Sequence, residues 1–327
     1  MKDFKAHIHN EFNQFEDAFV NALGSDHPLL TEVLGYIHSK RGKQLRPILV
    51  LLSAAMCRGI TSKTILTAVA LELTHTASLV HDDVVDNSPM RRGDAAVHEQ
   101  WTNKIAVLTG DYMLAKVISL LAELRNANLL NIISTMSKAL TEGELLQLHA
   151  GQSMWISEKM YNQIIEQKTA CLFAACSEAG AASTGATTRQ MTAMRNYGMH
   201  LGMCFQLKDD VLDYSDIEDI GKPTMNDIRD GKATLPLLIA LQRANKEEAA
   251  DIRQKAESLA GHLSDSEIFN TEQDIKSFIL RYDGIRYAYQ EMEKHRKKAI
   301  EALAIFPNNK YKDSLIALLD YAINRMK

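Results

Sequence analysis

The stretch Leu79-Val80-His81-Asp82-Asp83-Val84-Val85-Asp86 places three aspartates at the end of an aliphatic run. A second stretch, Gln206-Leu207-Lys208-Asp209-Asp210-Val211-Leu212-Asp213, repeats the same spacing. In both, the apolar residues recur at helical intervals, and a glycine or proline follows soon afterwards, at Pro89 and Gly221. The pattern predicts that each motif closes a helix, with its first and third aspartates one turn apart on one face.

Carboxylates crowded in this way require a cation. Three of them repel one another, and the negative end of a helix dipole disfavours each by about 0.3–1 kcal/mol. Mg²⁺ is the natural occupant, because it prefers oxygen ligands and completes its shell with water and substrate phosphates. The two motifs therefore predict a diphosphate held through Mg²⁺, whose Lewis acidity stabilises charge on a departing pyrophosphate. If the leaving group is allylic, the carbon left behind is a delocalised cation.

The composition predicts one all-α domain over residues 1–327. Only 6 prolines and 16 glycines interrupt 327 residues dominated by helix-favouring types. The net charge of −4 argues against a nucleic-acid partner. The four cysteines lack Cys-x-x-Cys or zinc spacing, the N-terminus lacks a secretion signal, and the apolar run 47–57 is too short for a bilayer. We therefore expect a cytoplasmic protein without a transmembrane segment.

Basic residues precede the predicted apolar helix 47–57. Four of them fall within residues 40–46, and Pro47 suits a first helical position. A basic loop at a helix N-terminus is suited to phosphate. The alternative is a solvated loop.

A second group of cations follows the first acidic motif. A turn over Asn87–Gly93 is predicted to swing two arginines back toward the aspartates, unless they face solvent. Lys43, Arg46, His75 and Arg92 supply positive charge without carboxylates, which predicts a second, metal-free anion site. Two diphosphate sites of different chemistry suggest an enzyme that joins two diphosphate substrates.

A series of motifs between about residues 40 and 240 resembles the trans-type polyprenyl diphosphate synthases, of medium- to long-chain, octaprenyl-like type. In chain order these motifs are Gly42-Lys43-x-x-Arg46-Pro47, His75, Asp82-Asp83-x-x-Asp86 with Arg91-Arg92-Gly93, Lys168-Thr169, Phe205-Gln206-x-x-Asp209-Asp210-x-x-Asp213, Gly221-Lys222 and Lys232. The resemblance implies the isoprenoid synthase fold, a bundle of long helices around a central cavity, in a homodimer.

The resemblance also implies roles for individual residues. It makes Asp82, Asp86 and Asp209 direct ligands of about three Mg²⁺ ions, with Asp83, Asp210 and Asp213 in support. The residues implied for an allylic diphosphate (dimethylallyl, geranyl or farnesyl) are Arg91, Lys168, Gln206, Lys222 and Lys232, and Thr169 is implied to bind substrate. Those implied for isopentenyl diphosphate are Lys43, Arg46, His75 and Arg92. The implied reaction is ionisation of the allylic substrate, attack by the isopentenyl double bond, and proton loss to pyrophosphate.

The helix below the first motif predicts a long product. Ser78 lies one turn beneath Asp82, Ala77 lies on its flank, and Thr74 lies a turn deeper. Each turn advances about 5.4 Å, comparable to one isoprene unit, and no bulky side chain blocks this path. In family members that make short products, Phe or Tyr near these positions acts as a floor. We expect a product longer than about four isoprene units, unless the small residues serve helix packing. The deeper residues expected to form the floor are Leu121, Ile133 and Met136.

Two other functions stay open. A terpene cyclase shares the helical fold and a first aspartate motif, but its second motif usually mixes other residue types. A non-catalytic subunit of a heteromeric synthase would be expected to lack an aspartate or a basic residue, and none is missing.

Overall fold

The computed structural model describes residues 4–40, 42–150, 153–214, 225–259 and 264–325. Within these ranges the chain is almost entirely helical, which confirms the predicted all-α class. The helices are α1 (His9–Ala22), α2 (Pro28–Ser39), α3 (Leu45–Cys57), α4 (Ser62–Val85), α5 (Val97–Gln100), α6 (Asn103–Leu124), α7 (Ala127–Ala150), α8 (Glu158–Ile165), α9 (Cys171–Ser183), α10 (Thr188–Asp213), α11 (Asn226–Arg229), α12 (Leu235–Arg243), α13 (Lys246–Ser258), α14 (Asp265–Arg281), α15 (Gly284–Ala302) and α16 (Lys310–Asn324). A short 3₁₀ turn covers Leu303–Ile305, and a π-turn covers Glu166–Ala170.

Residue contacts divide the chain into two compact units. Unit 1 comprises Met1–Ser137, Ala175–Arg195 and Leu303–Ala317. Unit 2 comprises Lys138–Ala174, Asn196–Ala302 and Leu318–Lys327. The first acidic motif therefore belongs to unit 1 and the second to unit 2.

Helix α4 lies at the centre of unit 1, where it packs against α1, α3 and α6. Its N-terminus is fixed by a capping box, because Thr61 Oγ1 accepts from the Thr64 N–H at 3.3 Å while the Thr61 N–H donates to Thr64 Oγ1 at 3.2 Å. The helix then runs through buried apolar residues and ends at Val85, with Asp86 as its C-cap. The first motif thus lies at the end of the buried helix α4, as predicted.

Helix α3 begins earlier than predicted. Its first residue is Leu45, so the prediction that Pro47 opens this helix is wrong by two positions. Pro47 still lies in the first turn, where backbone N–H groups lack an intrahelical partner and proline is tolerated. Gln44 precedes the helix with a φ of 53°, so the chain enters α3 through a left-handed residue.

The predicted turn after α4 is a short hairpin. Strands β1 (Met90–Arg91) and β2 (Asp94–Ala95) pair antiparallel, with Arg91 opposite Asp94. Arg92 and Gly93 between them have φ of 56° and 86°, which is typical of a two-residue hairpin turn whose twist matches the strands. Two-residue strands are too short for alternation to reveal them in the sequence.

Helix α12 is the apolar centre of unit 2, where it packs against α8, α14 and α15. Gly284 begins α15 against it, and a Cβ there would lie 2.1 Å from the Pro236 carbonyl oxygen. Glycine is therefore the residue type that permits this approach. The π-turn separates α8 from α9. Helix α14 begins at Asp265, where Ser264 and Glu267 form a capping box.

One helix in the described part of the chain, α6, is long and apolar enough to cross a membrane by length and composition alone. A third of its most apolar window, 33%, is buried within the protein, and core helices of soluble proteins pass the same test. This is weak evidence, so the absence of a transmembrane segment stays a prediction.

Candidate functional site

Asp83, the second aspartate of the first motif, forms a salt bridge with an arginine. It is buried at 3% exposure, and Arg91 donates Nε to Asp83 Oδ1 at 2.7 Å and Nη2 to the same oxygen. The hairpin holds Arg91 in this position, since Arg91 is the last residue of β1. Asp83 therefore orients Arg91.

The other two aspartates of this motif are more accessible. Asp82 is half-buried on α4, and Asp86 is exposed at its C-cap. The backbone N–H of Asp86 donates to the Asp82 carbonyl at 2.8 Å, so the helical spacing extends through the motif. The roles expected of the three residues, Asp82 and Asp86 as metal ligands and Asp83 in support, stay predictions.

His75 lies on α4 at 8% exposure. Burial holds the pKa of His75 well below its ordinary value, and the positive charges of Arg46, Arg92 and Arg91 act in the same direction. Both effects favour the neutral imidazole in this environment, whereas the sequence pattern predicts that His75 supplies positive charge. A neutral imidazole offers one N–H donor and one acceptor, and it can hydrogen-bond an anion without adding to the charge.

The hairpin and the end of α2 form the rest of this site. Arg92 Nη1 donates to the Lys40 carbonyl at 2.9 Å, while Lys40 Nζ lies 2.6 Å from Asp94 Oδ1. A Cβ at Gly42 would lie 3.0 Å from Arg92 Cζ, so glycine leaves room for the guanidinium. Lys43 lies exposed in the loop before α3, and Arg46 is half-buried in its first turn. A cavity of about 60 Å³ is lined by His75, Asp83, Arg91, Arg92 and Glu72 among others.

The residues predicted to set product length lie on α4 in unit 1. Ala77 is fully buried and Thr74 is 4% exposed, while Ser78 is half-buried. The hydroxyl of Thr74 donates to the Ala70 carbonyl at 2.8 Å, and that of Ser78 to the His75 carbonyl at 2.9 Å. Both hydroxyls are satisfied within their own helix, so this face is effectively apolar. The expected floor residues Leu121, Ile133 and Met136 lie on α6 and α7.

A cavity of about 250 Å³ in unit 2 collects five of the predicted site residues. They are Lys168 and Thr169 from the π-turn, Gln206 and Asp210 from α10, and Lys232. Lys222 lies outside the described residues. The same cavity is lined by Tyr161 and Asp227, which the sequence did not single out.

Asp210 is the centre of a hydrogen-bond network. The Tyr161 hydroxyl donates to Oδ2, Gln206 Nε2 donates to Oδ1 at 2.8 Å, and Thr169 Oγ1 donates to Gln206 Oε1 at 2.8 Å. Burial raises the pKa of Asp210 to about 8, and the charge of Asp227 adds to the rise, while the two hydrogen bonds oppose it. Both oxygens have neutral donors, so Asp210 acts by fixing Gln206 and, through it, Thr169.

Asp213 and Asp227 lie side by side at the end of α10. The backbone N–H groups of Asn226 and Asp227 donate to Asp213 at 3.1 and 3.2 Å. Burial raises the pKa of Asp213, and burial together with Asp213 raises that of Asp227 to about 7. The sequence could have indicated Asp227 as a site residue, because it lies between Lys222 and Lys232 of the motifs. No such indication exists for Tyr161, because a tyrosine on an amphipathic helix is usually a core residue.

Asp209 is paired with a residue from the end of the chain. Arg325 Nη2 lies 2.7 Å from Asp209 Oδ1 and donates to the Phe205 carbonyl at 2.9 Å, and its guanidinium lies 3.8 Å from the centre of the Phe205 ring. Arg325 follows α16 and carries no motif, so the sequence did not indicate this contact. The Arg325 guanidinium thus contacts Asp209, the aspartate that was expected to bind metal directly.

The donor set of unit 2 fits a divalent, oxygen-seeking cation. The charge of Asp227 raises the pKa of Asp210, and the charge of Asp213 raises the pKa of Asp227, so a bound cation would relieve this repulsion. Among the described residues, no three His, Cys, Asp or Glu side chains already surround one point at metal distance. Arginines contact two of the motif aspartates, Asp83 and Asp209.

Comparison with known proteins gives concordant results. The sequence model of polyprenyl synthetase matches residues 27–267. An octaprenyl diphosphate synthase of Haemophilus influenzae is 37% identical over 304 residues, covering 93% of this chain and 90% of that protein. An all-trans-nonaprenyl-diphosphate synthase (geranyl-diphosphate specific) of Rhodobacter capsulatus is 33% identical, covering 100% and 98%. The crystal structure of a polyprenyl synthase from Caulobacter crescentus complexed with calcium and isoprenyl diphosphate has a TM-score of 0.90 at 33% identity, covering 99% and 97%.

Proposed function

Since the chain belongs to the polyprenyl synthetase family, we propose that it condenses isopentenyl diphosphate with an allylic diphosphate in a head-to-tail, trans reaction. The chain is a prenyltransferase of the polyprenyl diphosphate synthase type, and its product is longer than C20. The observation that carries the assignment is the unit 2 cavity, where Lys168, Thr169, Gln206 and Lys232 line one space beside Asp210. The neutral and cationic donors can bind the oxygens of a diphosphate, and the carboxylate suits the metal ion that accompanies it.

A divalent cation is part of this proposal. Mg²⁺ ions bound at Asp82 and Asp86 in unit 1, and at Asp209 in unit 2, would supply Lewis-acid stabilisation of a pyrophosphate leaving group. The calcium in the Caulobacter crescentus structure supports a divalent metal in this family. Arg325 neutralises Asp209 in the metal-free protein, so metal binding at this residue requires the guanidinium to move or share the carboxylate.

The protein side chains have separate tasks. In unit 2, Lys168, Lys232 and Lys222 bind the allylic diphosphate, and Asp210 keeps Gln206 and Thr169 aimed at it. In unit 1, Lys43, Arg46 and Arg92 bind isopentenyl diphosphate, and neutral His75 donates a hydrogen bond. Arg91, held by Asp83 through Nε and Nη2, offers its remaining N–H groups to a diphosphate.

Further properties belong to the same proposal. The family match 27–267 includes residues of both units, which supports one catalytic domain over residues 1–327. We propose a cytoplasmic location and a homodimer. The homodimer is supported by α6, which exposes Val107, Leu108 and Ile118 at 39%, 66% and 69%, an apolar face that a second subunit would cover. The growing chain is proposed to pass Ser78, Ala77 and Thr74 toward Leu121, Ile133 and Met136.

Product analysis tests the assignment. The purified chain is incubated with Mg²⁺, isopentenyl diphosphate and, in turn, dimethylallyl, geranyl and farnesyl diphosphate, and the products are dephosphorylated and sized. Long linear polyprenols are expected. A cyclic hydrocarbon from the allylic substrate alone would indicate a terpene cyclase. Inactivity that a second polypeptide relieves would indicate a non-catalytic subunit.

A further inference from the structure

Glu144 on α7 makes a contact that the sequence did not anticipate. Lys168 Nζ lies 2.6 Å from Glu144 Oε2, and the two side chains are 25% and 17% exposed. Both residues belong to unit 2, and Lys168 lines the 250 Å³ cavity. An ion pair with so little exposure on either side is not a solvated surface pair. We infer that Glu144 is a positioning residue, which holds the Lys168 ammonium in the orientation that the allylic diphosphate needs.

The backbone on both sides of the pair is fixed. Lys168 lies in the π-turn Glu166–Ala170, a local widening of the helix that is frequent at functional sites. The π-turn rests on α7 at Gly143, where a Cβ would lie 2.7 Å from Gln167 Cβ and 3.1 Å from the Lys168 nitrogen. Only glycine permits this distance, and the next residue of α7 is Glu144. The packing of the π-turn against α7 therefore fixes both backbones, and the lysine side chain is long enough to reach Glu144.

The pairing leaves Lys168 with capacity for a ligand. An ammonium group carries three N–H donors, and one points at Glu144 Oε2. The other two are available for diphosphate oxygens, and their directions follow from the first. A lysine has a flexible four-carbon stem, so without this anchor the ammonium would sample many positions.

Among the described residues, the Glu144 carboxylate pairs with Lys168, and its second oxygen, Oε1, is buried and has no hydrogen-bond partner. Lys168 is thus the group that fixes the Glu144 side chain, and the two residues act as a pair. Gln147, one turn further along α7, lines the same cavity, which places this face of α7 beside the ligand space.

The inference rests on the proposed function, and it predicts an effect on one substrate. In Glu144→Gln the charge is lost while the size is kept, so Lys168 loses its strong partner. We expect KM for farnesyl diphosphate to rise about tenfold, while KM for isopentenyl diphosphate stays within about twofold. Glu142→Gln is the matched control, because Glu142 lies on the same helix in an exposed pair with Lys138 at 3.5 Å. This control should leave both constants unchanged.

Two further measurements separate positioning from a structural role. Calorimetric titration with farnesyl diphosphate and Mg²⁺, without isopentenyl diphosphate, should show weaker binding to Glu144→Gln and intermediate binding to Glu144→Asp. In a Lys168→Met background, Glu144→Gln should add nothing, because its effect passes through the lysine. Far-UV circular dichroism and the thermal midpoint check that each variant is folded.

Each outcome has a defined meaning. An unchanged or lower KM for farnesyl diphosphate in folded Glu144→Gln would show that Glu144 does not position Lys168 or opposes the diphosphate, and would overturn the inference while the proposed function stands. An additive effect in the Lys168→Met background would overturn it too. A wild-type chain that makes no prenyl product would remove the proposed function and the inference together.

Discussion

Replacing Asp210 with Asn should make the metal-free protein more stable at pH 8, although Asp210 belongs to the second acidic motif. The carboxyl group is 2% exposed, and burial raises its pKa from the ordinary 3.8 to about 8. Such a group binds its proton more tightly in the folded than in the unfolded protein. Its contribution to stability is therefore greatest below pH 3.8 and is lost as the pH rises toward 8.

The size of the effect follows from the shift. Each unit of pH between the two pKa values costs about 1.4 kcal/mol of unfolding free energy, so the loss from pH 5 to pH 7 is about 3 kcal/mol. Asp227, whose pKa is raised to about 7, acts in the same direction. Asn keeps the size of the side chain and an acceptor for Gln206, and it has no proton to lose. A change of about 3 kcal/mol corresponds to roughly 4 °C in the thermal midpoint of a chain of 327 residues.

Thermal unfolding measures the effect directly. The wild type and Asp210→Asn are melted in EDTA at intervals from pH 5 to pH 8.5, and again in MgCl₂. The wild-type midpoint should fall with pH in EDTA more steeply than that of the variant, and Mg²⁺ should reduce the difference by stabilising the charged carboxylates. Asp251→Asn is the control, because Asp251 is exposed and pairs with Lys255 on the surface. Equal slopes for wild type and Asp210→Asn in EDTA would refute the reasoning.

Three further predictions concern turnover, product length and packing. Asp82→Ala should slow prenyl transfer by orders of magnitude in a steady-state assay, since it removes a proposed ligand of the transition state, and a near-normal rate would contradict that role. Ala77→Tyr should shorten the product on chromatographic sizing of the dephosphorylated alcohols, and an unchanged length would remove the proposed path along α4. Gly284→Ala should destabilise the protein by about 3 kcal/mol or more in urea unfolding, because its Cβ would meet the Pro236 oxygen at 2.1 Å. Gly35→Ala, with nothing within 4 Å, should instead stabilise α2 by up to about 1 kcal/mol, and equal effects of the two substitutions would argue against the packing account.

Local signals account for what could be predicted of the fold. Helical periodicity and few glycines or prolines predict the all-α class and most long helices, because those signals act within a few turns. The π-turn at Glu166–Ala170 has no such signal, since it depends on the packing of Gly143 against Gln167. Helices α5 and α11 are four residues each, which is too short for a period of 3.6 to appear.

The sequence by itself determined the all-α class and predicted which residues carry the chemistry: two aspartate motifs and the basic residues between and before them. Only the tertiary structure decided what each residue does there, because the partners are distant in the chain. Tyr161 reaches Asp210 across 49 positions, and the last described residue, Arg325, reaches Asp209. The charge on His75 is likewise decided by burial among arginines of other elements, and no local spacing encodes that environment.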